Sequence, residues 1–440
     1  MGVGCVALLL AAPGRRWSAA LLAVAMLHVR DSHFGVTDPQ LTTLCVASVL
    51  ASMALRIQGT TELATFAGLL GGLAASTKYN GALTLVPLIV AAWAAPADTV
   101  VLATRGLFGM ALGFAAGSPY VLLDFATFKK DFLFEVNHLE QGHRVDVGPA
   151  WWAHLSGTLP NGVGLPILVA GVLGMLAGFR KDWKSGLVLI AFPLAWFVAM
   201  GRGGGAFYRY MLPLVPFLCV GAGMLVDAVP AVPDDAPAWR RHLKTALFLL
   251  LAGPTAWSSV QVVSRMAAGD TRDAMGAWIE ANVPTESTIV HGGAYSGAPM
   301  LQRNVTNHTR EALARAGRAD SAGFRKPDDE RWYDPARPRY DVLILEKPGL
   351  EYASRATVER VLAAPPEWLL LEESGLTYYS AVPDKVRALA RARYEVAHEE
   401  RSHTGAVGTY DQQDAFYLPV ADWEGHTRMG PNLTLYRRRP

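Results

Sequence analysis

The chain has 440 residues, 51% of them hydrophobic, and a formal net charge of +2. No domain-wide basic face accompanies that charge, so nucleic acid is not an expected partner. Its three cysteines, Cys5, Cys45 and Cys219, all lie in apolar stretches and no CxxC or Cys/His ligand spacing occurs. That excludes a disulfide framework and a structural zinc site.

The two parts of the chain differ in kind. As far as about residue 263, long apolar blocks are separated by short charged clusters, whereas beyond it Arg, Asp and Glu are spread throughout. Region 1–263 therefore reads as a membrane domain and 264–440 as a soluble one. The expected fold class is mostly α, a polytopic transmembrane helical bundle followed by a small α/β domain. A membrane helix needs about 20 apolar residues, because backbone groups in lipid must bond internally. On that basis the sequence predicts about ten spans, at 2–12, 17–28, 38–55, 63–77, 82–95, 100–123, 163–179, 186–200, 208–229 and 243–260. The first is apolar from its first residue and lacks a signal-peptide layout, so it reads as the end of a membrane helix.

Lys and Arg in short loops set the orientation. Arg15 and Arg16, then Arg180, Lys181 and Lys184, then Arg240, Arg241 and Lys244 fall on one side if the spans alternate. Taken as cytoplasmic, that side leaves 30–38, 78–80, the long loop 124–161, 202–209 and everything after Val260 outside the cytoplasm. Gly68 and Gly72, and Gly109, Gly113 and Gly117, recur at four-residue spacing and predict close helix packing.

The region after 264 reads as α/β. Asp270 predicts a cap for a helix over 271–282, with strands at 287–291, 340–346, 367–371 and 433–437 and a long charged helix at 384–399. It carries no G-x-G-x-x-G, P-loop or G-x-S-x-G.

Charge at membrane depth is costly and faces a cavity or a counter-charge. The extracytoplasmic side collects Asp31, His33 and Asp38 in HVRDSHFGVTDPQLT, Lys78 in STKYNG, Asp124 in SPYVLLD, and Arg202 and Arg209 in GRGGGAFYRYMLPLVP. Lys78, Arg202 and Arg209 run against the positive-inside rule, and a bound phosphate anion would compensate them. Each has a plainer reading: Asp38 as a helix cap ahead of Pro39, Lys78 and Arg209 as snorkelling side chains, His33 as a loop residue. Glu135, His138, Glu140, His143 and Asp146 in the long loop match no metal template and fit an amphipathic helix on the membrane; no metal is expected. Trp151 and Trp152 suit an interfacial belt.

The ordered set DSHFGVTDPQLT, GLAASTKYNG and FYRYMLPLVP resembles the bacterial glycosyltransferase family 39 proteins, relatives of the protein O-mannosyltransferases and aminoarabinose transferases in the GT-C superfamily. The resemblance covers roughly 17–229 and, more loosely, the soluble region. It implies a membrane enzyme that moves a sugar from a polyprenyl-phosphate donor, with inversion, to an acceptor hydroxyl on the extracytoplasmic face. The polyprenyl-phosphate sugar is a substrate, and no cofactor is implied. Carried onto this sequence, Asp38 and Asp31 are the candidate catalytic carboxylates. Lys78 and Arg209 are phosphate contacts, with His33, Arg202 and Asp124 lining the substrate site. The family places its principal acid in a loop after its first span, and Met1–Ala12 corresponds to the second. The first helix and that loop are therefore expected upstream of this chain, which is expected to transfer sugar poorly without them. The alternatives are a transporter, or a non-catalytic membrane subunit whose soluble region binds a partner.

Overall fold

The computed structural model describes residues 2–12, 15–141, 145–230, 237–302, 334, 336–345, 354–405 and 408–440. They form two compact units, Met1–Gln261 and Val262–Pro440.

The first unit is helical. Short helices α1 (Gly2–Ala11), α2 (Arg16–Val24) and α3 (Met26–His33) lead into α4 (Asp38–Gln58). Pro39 in the first turn starts α4, and Gly59, at φ +66°, ends it in the left-handed conformation. Helix α5 (Thr61–Thr77) is capped by the Thr60 hydroxyl, which accepts from the Leu63 N–H. A 3₁₀ segment, Tyr79–Thr84, then joins it to α6 (Leu85–Ala94). Next come α7 (Thr99–Gly117), capped by Asp98, α8 (Tyr120–Leu123) and α9 (Phe125–Gln141). Helices Ala150–Val163, Leu165–Lys181 and Trp183–Arg202 follow, then Tyr208–Ala228, which opens as 3₁₀, and Leu243–Ala267.

Five of these helices are long and apolar enough to cross a membrane: Asp38–Gln58, Thr99–Gly117, Trp183–Arg202, Tyr208–Ala228 and Leu243–Ala267. The pair Ala150–Val163 and Leu165–Lys181, bent by 104°, makes a sixth if taken as one span. The chain carries the helices of an integral membrane protein, but fewer spans than the ten expected. Hydropathy does not see where a helix breaks. The expected span 17–28 is interrupted at Ala25, whose ψ of 118° is extended, and 82–95 is part 3₁₀. Helix α1 has 10 residues, or roughly 15 Å at the α-helical rise, half the thickness of a hydrocarbon core.

Helices α5 and α7 lie with their backbones in contact. A methyl group added at Gly68 or Gly72 would collide with the carbonyl of Gly106 or Met110, and one added at Gly109 or Gly113 with that of Thr65 or Leu69. This packing brings the C-terminal end of α5, with Lys78 and Tyr79, alongside the last turns of α7.

The second unit holds a five-stranded sheet in the order β2-β1-β3-β5-β4. Strands β1 (Thr288–Gly292), β2 (Asp341–Leu345) and β3 (Trp368–Glu373) are parallel; β4 (Tyr394–Glu400) and β5 (Asn432–Arg438) pair antiparallel to their neighbours. One face buries Met275 and Ile279 of helix Thr271–Asn282 against Ile289, Leu370 and Leu435; the other packs Val386 and Ala390 against Val290, Leu369 and Leu371. Asp270 caps the first helix by accepting from the Arg272 N–H. The charged helix expected over 384–399 is corrected: it ends at Arg393, and 394–400 is the edge strand β4. β4 is an edge strand with exposed Glu395, Val396 and Glu399, and an edge strand carries charge as readily as a helix does.

Gly72→Leu should lower the thermal stability of the detergent-solubilised protein by about 1–3 kcal/mol, the usual cost of overpacking. Gly253→Ala, where nothing lies within 4 Å of the added methyl, should leave it unchanged or slightly raised. Equal melting temperatures for Gly72→Leu and the parent would contradict the α5–α7 contact.

Candidate functional site

The first turn of α4, the residue after α5 and the 3₁₀ segment Tyr208–Leu214 meet at one end of the first unit. Asp38 is buried at the start of α4, 3% exposed, and accepts a hydrogen bond of 2.9 Å from Lys78 Nζ. Lys78 Nζ also sits 4.6 Å from the centroid of the Tyr210 ring, within cation–π range. The Tyr210 carbonyl accepts from the Trp196 indole N–H at 2.7 Å, which ties the 3₁₀ segment to helix Trp183–Arg202. Asp38 does not take the expected cap position, which Thr37 occupies; its side chain instead forms an ion pair that the sequence did not foretell.

A second ion pair lies beside the first. Asp31, in the last turn of α3, has no exposed surface and accepts from Arg30 Nε at 2.7 Å. The Arg30 guanidinium lies 5.9 Å from the Tyr208 ring, and the Tyr208 hydroxyl accepts from Asn161 Nδ2 at 3.2 Å. Asp31 is within electrostatic reach of both Asp38 and Arg209. Arg209 itself is half-buried, its guanidinium 4.6 Å from the Phe207 ring. Each aromatic of the FYRY run thus carries a cation: Phe207 takes Arg209, Tyr208 takes Arg30 and Tyr210 takes Lys78.

The other expected site residues are not gathered there. His33 is exposed, and its Nδ1–H donates to the Val29 carbonyl one turn back, at 2.7 Å. Arg202 is exposed at the end of its helix. Asp124 is exposed and caps α9, accepting from the Thr127 N–H at 3.2 Å. Of the long-loop residues, the side chains of His138 and Glu140, and all of His143, lie outside the described residues; Glu135 and Asp146 are described. Among the described residues no group of three or more His, Cys, Asp or Glu is placed to hold a metal ion.

Next to the Asp38–Lys78 pair is a cavity of about 760 Å³, a size typical of small-molecule sites. Its walls are mainly apolar, built from Leu83 and Leu107, Met110 and Phe114 of α7, and Phe128 and Phe132 of α9. Lys78, Asn80, Tyr210 and Glu135 add polar groups. Neither Asp38 nor Asp31 lines this wall; Asp38 stands behind Lys78. Helix α9 covers the cavity through Tyr79, whose ring lies 6.3 Å from Phe128 and 5.1 Å from Phe132.

Arg30, Tyr208, Tyr210 and Glu135 thus join the neighbourhood without having been singled out for it. The signal for the tyrosines was present, since two aromatics flank Arg209 in a segment otherwise apolar. Arg30 adjoins Asp31 in sequence, and only the fold shows that the two form a buried ion pair.

The second unit has its own buried polar cluster. The Glu372 carboxylate accepts from Ser380 Oγ at 2.6 Å and the Tyr417 hydroxyl at 2.7 Å, with His291 Nε2 at 3.3 Å. Burial, and then the adjoining Glu372 charge, push the Tyr417 hydroxyl above its usual range. A methyl group on Gly293 or Gly297 would collide with the same carboxylate. The glycine-rich turn after β1 is therefore filled by Glu372, and this cluster is a polar plug within the core.

No protein-family profile matches the chain, and no curated protein matches it. Among solved structures it is similar to the single-particle cryo-EM structure of the arabinofuranosyltransferase AftD from Mycobacteria, with 13% sequence identity and a TM-score of 0.45. The similarity covers 100% of this chain and 33% of that one, so the chain spans about a third of that protein's length.

Replacing Lys78 by Met strands a buried carboxylate, which should cost on the order of 2 kcal/mol of stability. Adding Asp38→Asn should recover most of it. Thermal unfolding of the two single variants and the double variant measures the coupling; additive losses would show that the pair is not energetically linked.

Proposed function

We propose that this chain is a membrane glycosyltransferase that moves a sugar from a polyprenyl-phosphate donor to an acceptor hydroxyl on the extracytoplasmic face. The observation that carries the reading is the cavity: a mainly apolar chamber with one lysine on its wall, held in place from behind by a buried aspartate. An isoprenoid chain needs apolar walls, and its phosphate needs a cation whose position does not depend on the ligand. Lys78 answers the second need, and Leu107, Met110, Phe114 and Phe128 the first. Asp38 and Asp31 serve the site by fixing Lys78 and Arg30, and Arg209 adds positive potential near the same end. As the donor's glycosidic bond breaks, negative charge grows on the departing phosphate oxygen, which a fixed ammonium stabilises more than it does the ground state.

Sidedness supports the placement of this chemistry. Helix α4 has 21 residues, roughly 31 Å at the α-helical rise, so Asp38 and Arg56 lie on opposite faces of a membrane. Arg56 pairs with Asp182, between Arg180 and Lys184. Arg56 and the Arg180, Lys181 and Lys184 cluster thus lie at the end away from the cavity, the end that faces the cytoplasm under the positive-inside rule. The same rule assigns the second unit to the extracytoplasmic side. A transporter calls for interrupted helices in corresponding positions of two halves; among the described residues one helix pair is sharply bent, at Gly164.

Two measurements test the reading. Purified protein in nanodiscs should bind undecaprenyl phosphate saturably, and Lys78→Ala should weaken binding about tenfold to a hundredfold, the loss of one charge-assisted contact worth about 1.5–3 kcal/mol. Equal affinity for the variant and the parent would remove the phosphate site from Lys78. Protease added outside sealed spheroplasts should digest the second unit. Digestion only in inverted vesicles would reverse the topology.

A further inference from the structure

Two adjacent arginines at the end of the first unit away from the cavity have no acid to hold them. Arg15 precedes α2 and Arg16 opens it. Arg15 is half-buried, and its guanidinium donates to the Met53 sulfur at 3.7 Å. Met53 lies about one turn before Arg56 on α4, so this contact sets Arg15 roughly 22 Å along that helix from Asp38. Arg15 shares a small cleft there with Leu9, Leu50, Pro216, Phe217 and Val220, all apolar. Arg16 is exposed and lies 5.4 Å from the Trp17 ring. Among the described residues neither guanidinium meets a carboxylate. Arg56, at the same end, gives the contrast, since Asp182 neutralises it. A thioether is a weak acceptor for a group with several N–H donors. The Trp17 indole N–H is also buried without an acceptor. No side chain caps α2, so the free N–H groups of its first turn add to the positive potential.

We propose that Arg15 and Arg16 form a site for an anionic phospholipid of the surrounding bilayer, with Arg15 holding its phosphate and Arg16 supplying a second charge. A cation among apolar side chains at membrane depth is stable when an anion meets it. A guanidinium grips a phosphate through two parallel hydrogen bonds, and at the edge of a bilayer the phosphates at hand belong to lipids. Phosphatidylcholine brings its own cation beside its phosphate, whereas phosphatidylglycerol does not. Two arginines without a carboxylate therefore select a headgroup of net negative charge. Trp17, whose ring lies 5.1 Å from Phe248, anchors the start of α2 beside the site. The site is separate from the cavity, because Arg15 and Lys78 meet opposite ends of α4. It stands whether or not the cavity holds a sugar donor.

Native mass spectrometry of the full chain in detergent reads the site without any transfer reaction. The protein is titrated with phosphatidylglycerol or with phosphatidylcholine of the same acyl chains. Phosphatidylglycerol should bind saturably and about tenfold or more tighter than phosphatidylcholine. Arg15→Gln should abolish that preference, and Arg15→Lys, which keeps the charge but loses the planar fork, should retain part of it. Equal affinity of the parent for the two lipids would overturn the proposal, whatever the variants do. So would an undiminished preference in a folded Arg15→Gln. Loss of the bound phosphatidylglycerol in Lys78→Ala, with binding kept in Arg15→Gln, would place the anionic lipid in the cavity and overturn it too.

Discussion

A lysine at the mouth of an apolar chamber is stable there only because an aspartate holds it. Charge at membrane depth is expensive unless paired, and the Asp38–Lys78 bond meets that condition between the beginning of α4 and the end of α5. Both helix ends are determined locally, by Pro39 on one side and on the other by the 3₁₀ turn that begins at Tyr79. The pair then fixes how the two helices meet. Its cation is also shared with the Tyr210 ring, so the 3₁₀ segment 208–214 is drawn into the same junction. A neutral pair at these positions would pack, but would offer an anion nothing.

Close backbone packing does the complementary work. Without side chains at Gly68, Gly72, Gly109 and Gly113, α5 and α7 lie against each other along their length. That leaves Phe114 near the end of α7 level with Tyr79, just beyond α5, and α9 closes over both through Phe128 and Phe132. The chamber is what remains between these contacts. Its apolar walls come from residues whose neighbours face lipid, which is why its composition is indistinguishable from the rest of the membrane domain when read along the chain.

What could be read in the sequence follows the same division between local and tertiary causes. Helix Thr271–Asn282 and its Asp270 cap were legible because capping is decided within a few residues. The close helix contact at the glycine repeats was legible for a like reason. Asp38 and Lys78 stood out as charges in apolar surroundings, but their bond, 40 positions apart, was not written in either motif. The overcount of spans came from the break at Ala25 and the 3₁₀ turn Tyr79–Thr84, which leave hydropathy unchanged, and from helices too short to cross, such as Gly2–Ala11. Glu135 looked like one charge among several in a long loop. Only the folding of α9 onto Tyr79 brings it to the cavity wall.

The central claim is that the chamber beside Lys78 holds the lipid of a phosphate-linked donor. The most direct measurement is photo-crosslinking in nanodiscs with a polyprenyl phosphate carrying a diazirine in its isoprenoid chain, followed by peptide mass spectrometry. Labelling should concentrate on Leu107–Phe114 and Phe128–Phe132 and be displaced by excess undecaprenyl phosphate. Labelling confined to lipid-exposed positions such as Leu249 and Leu250, and not displaced by competitor, would contradict it.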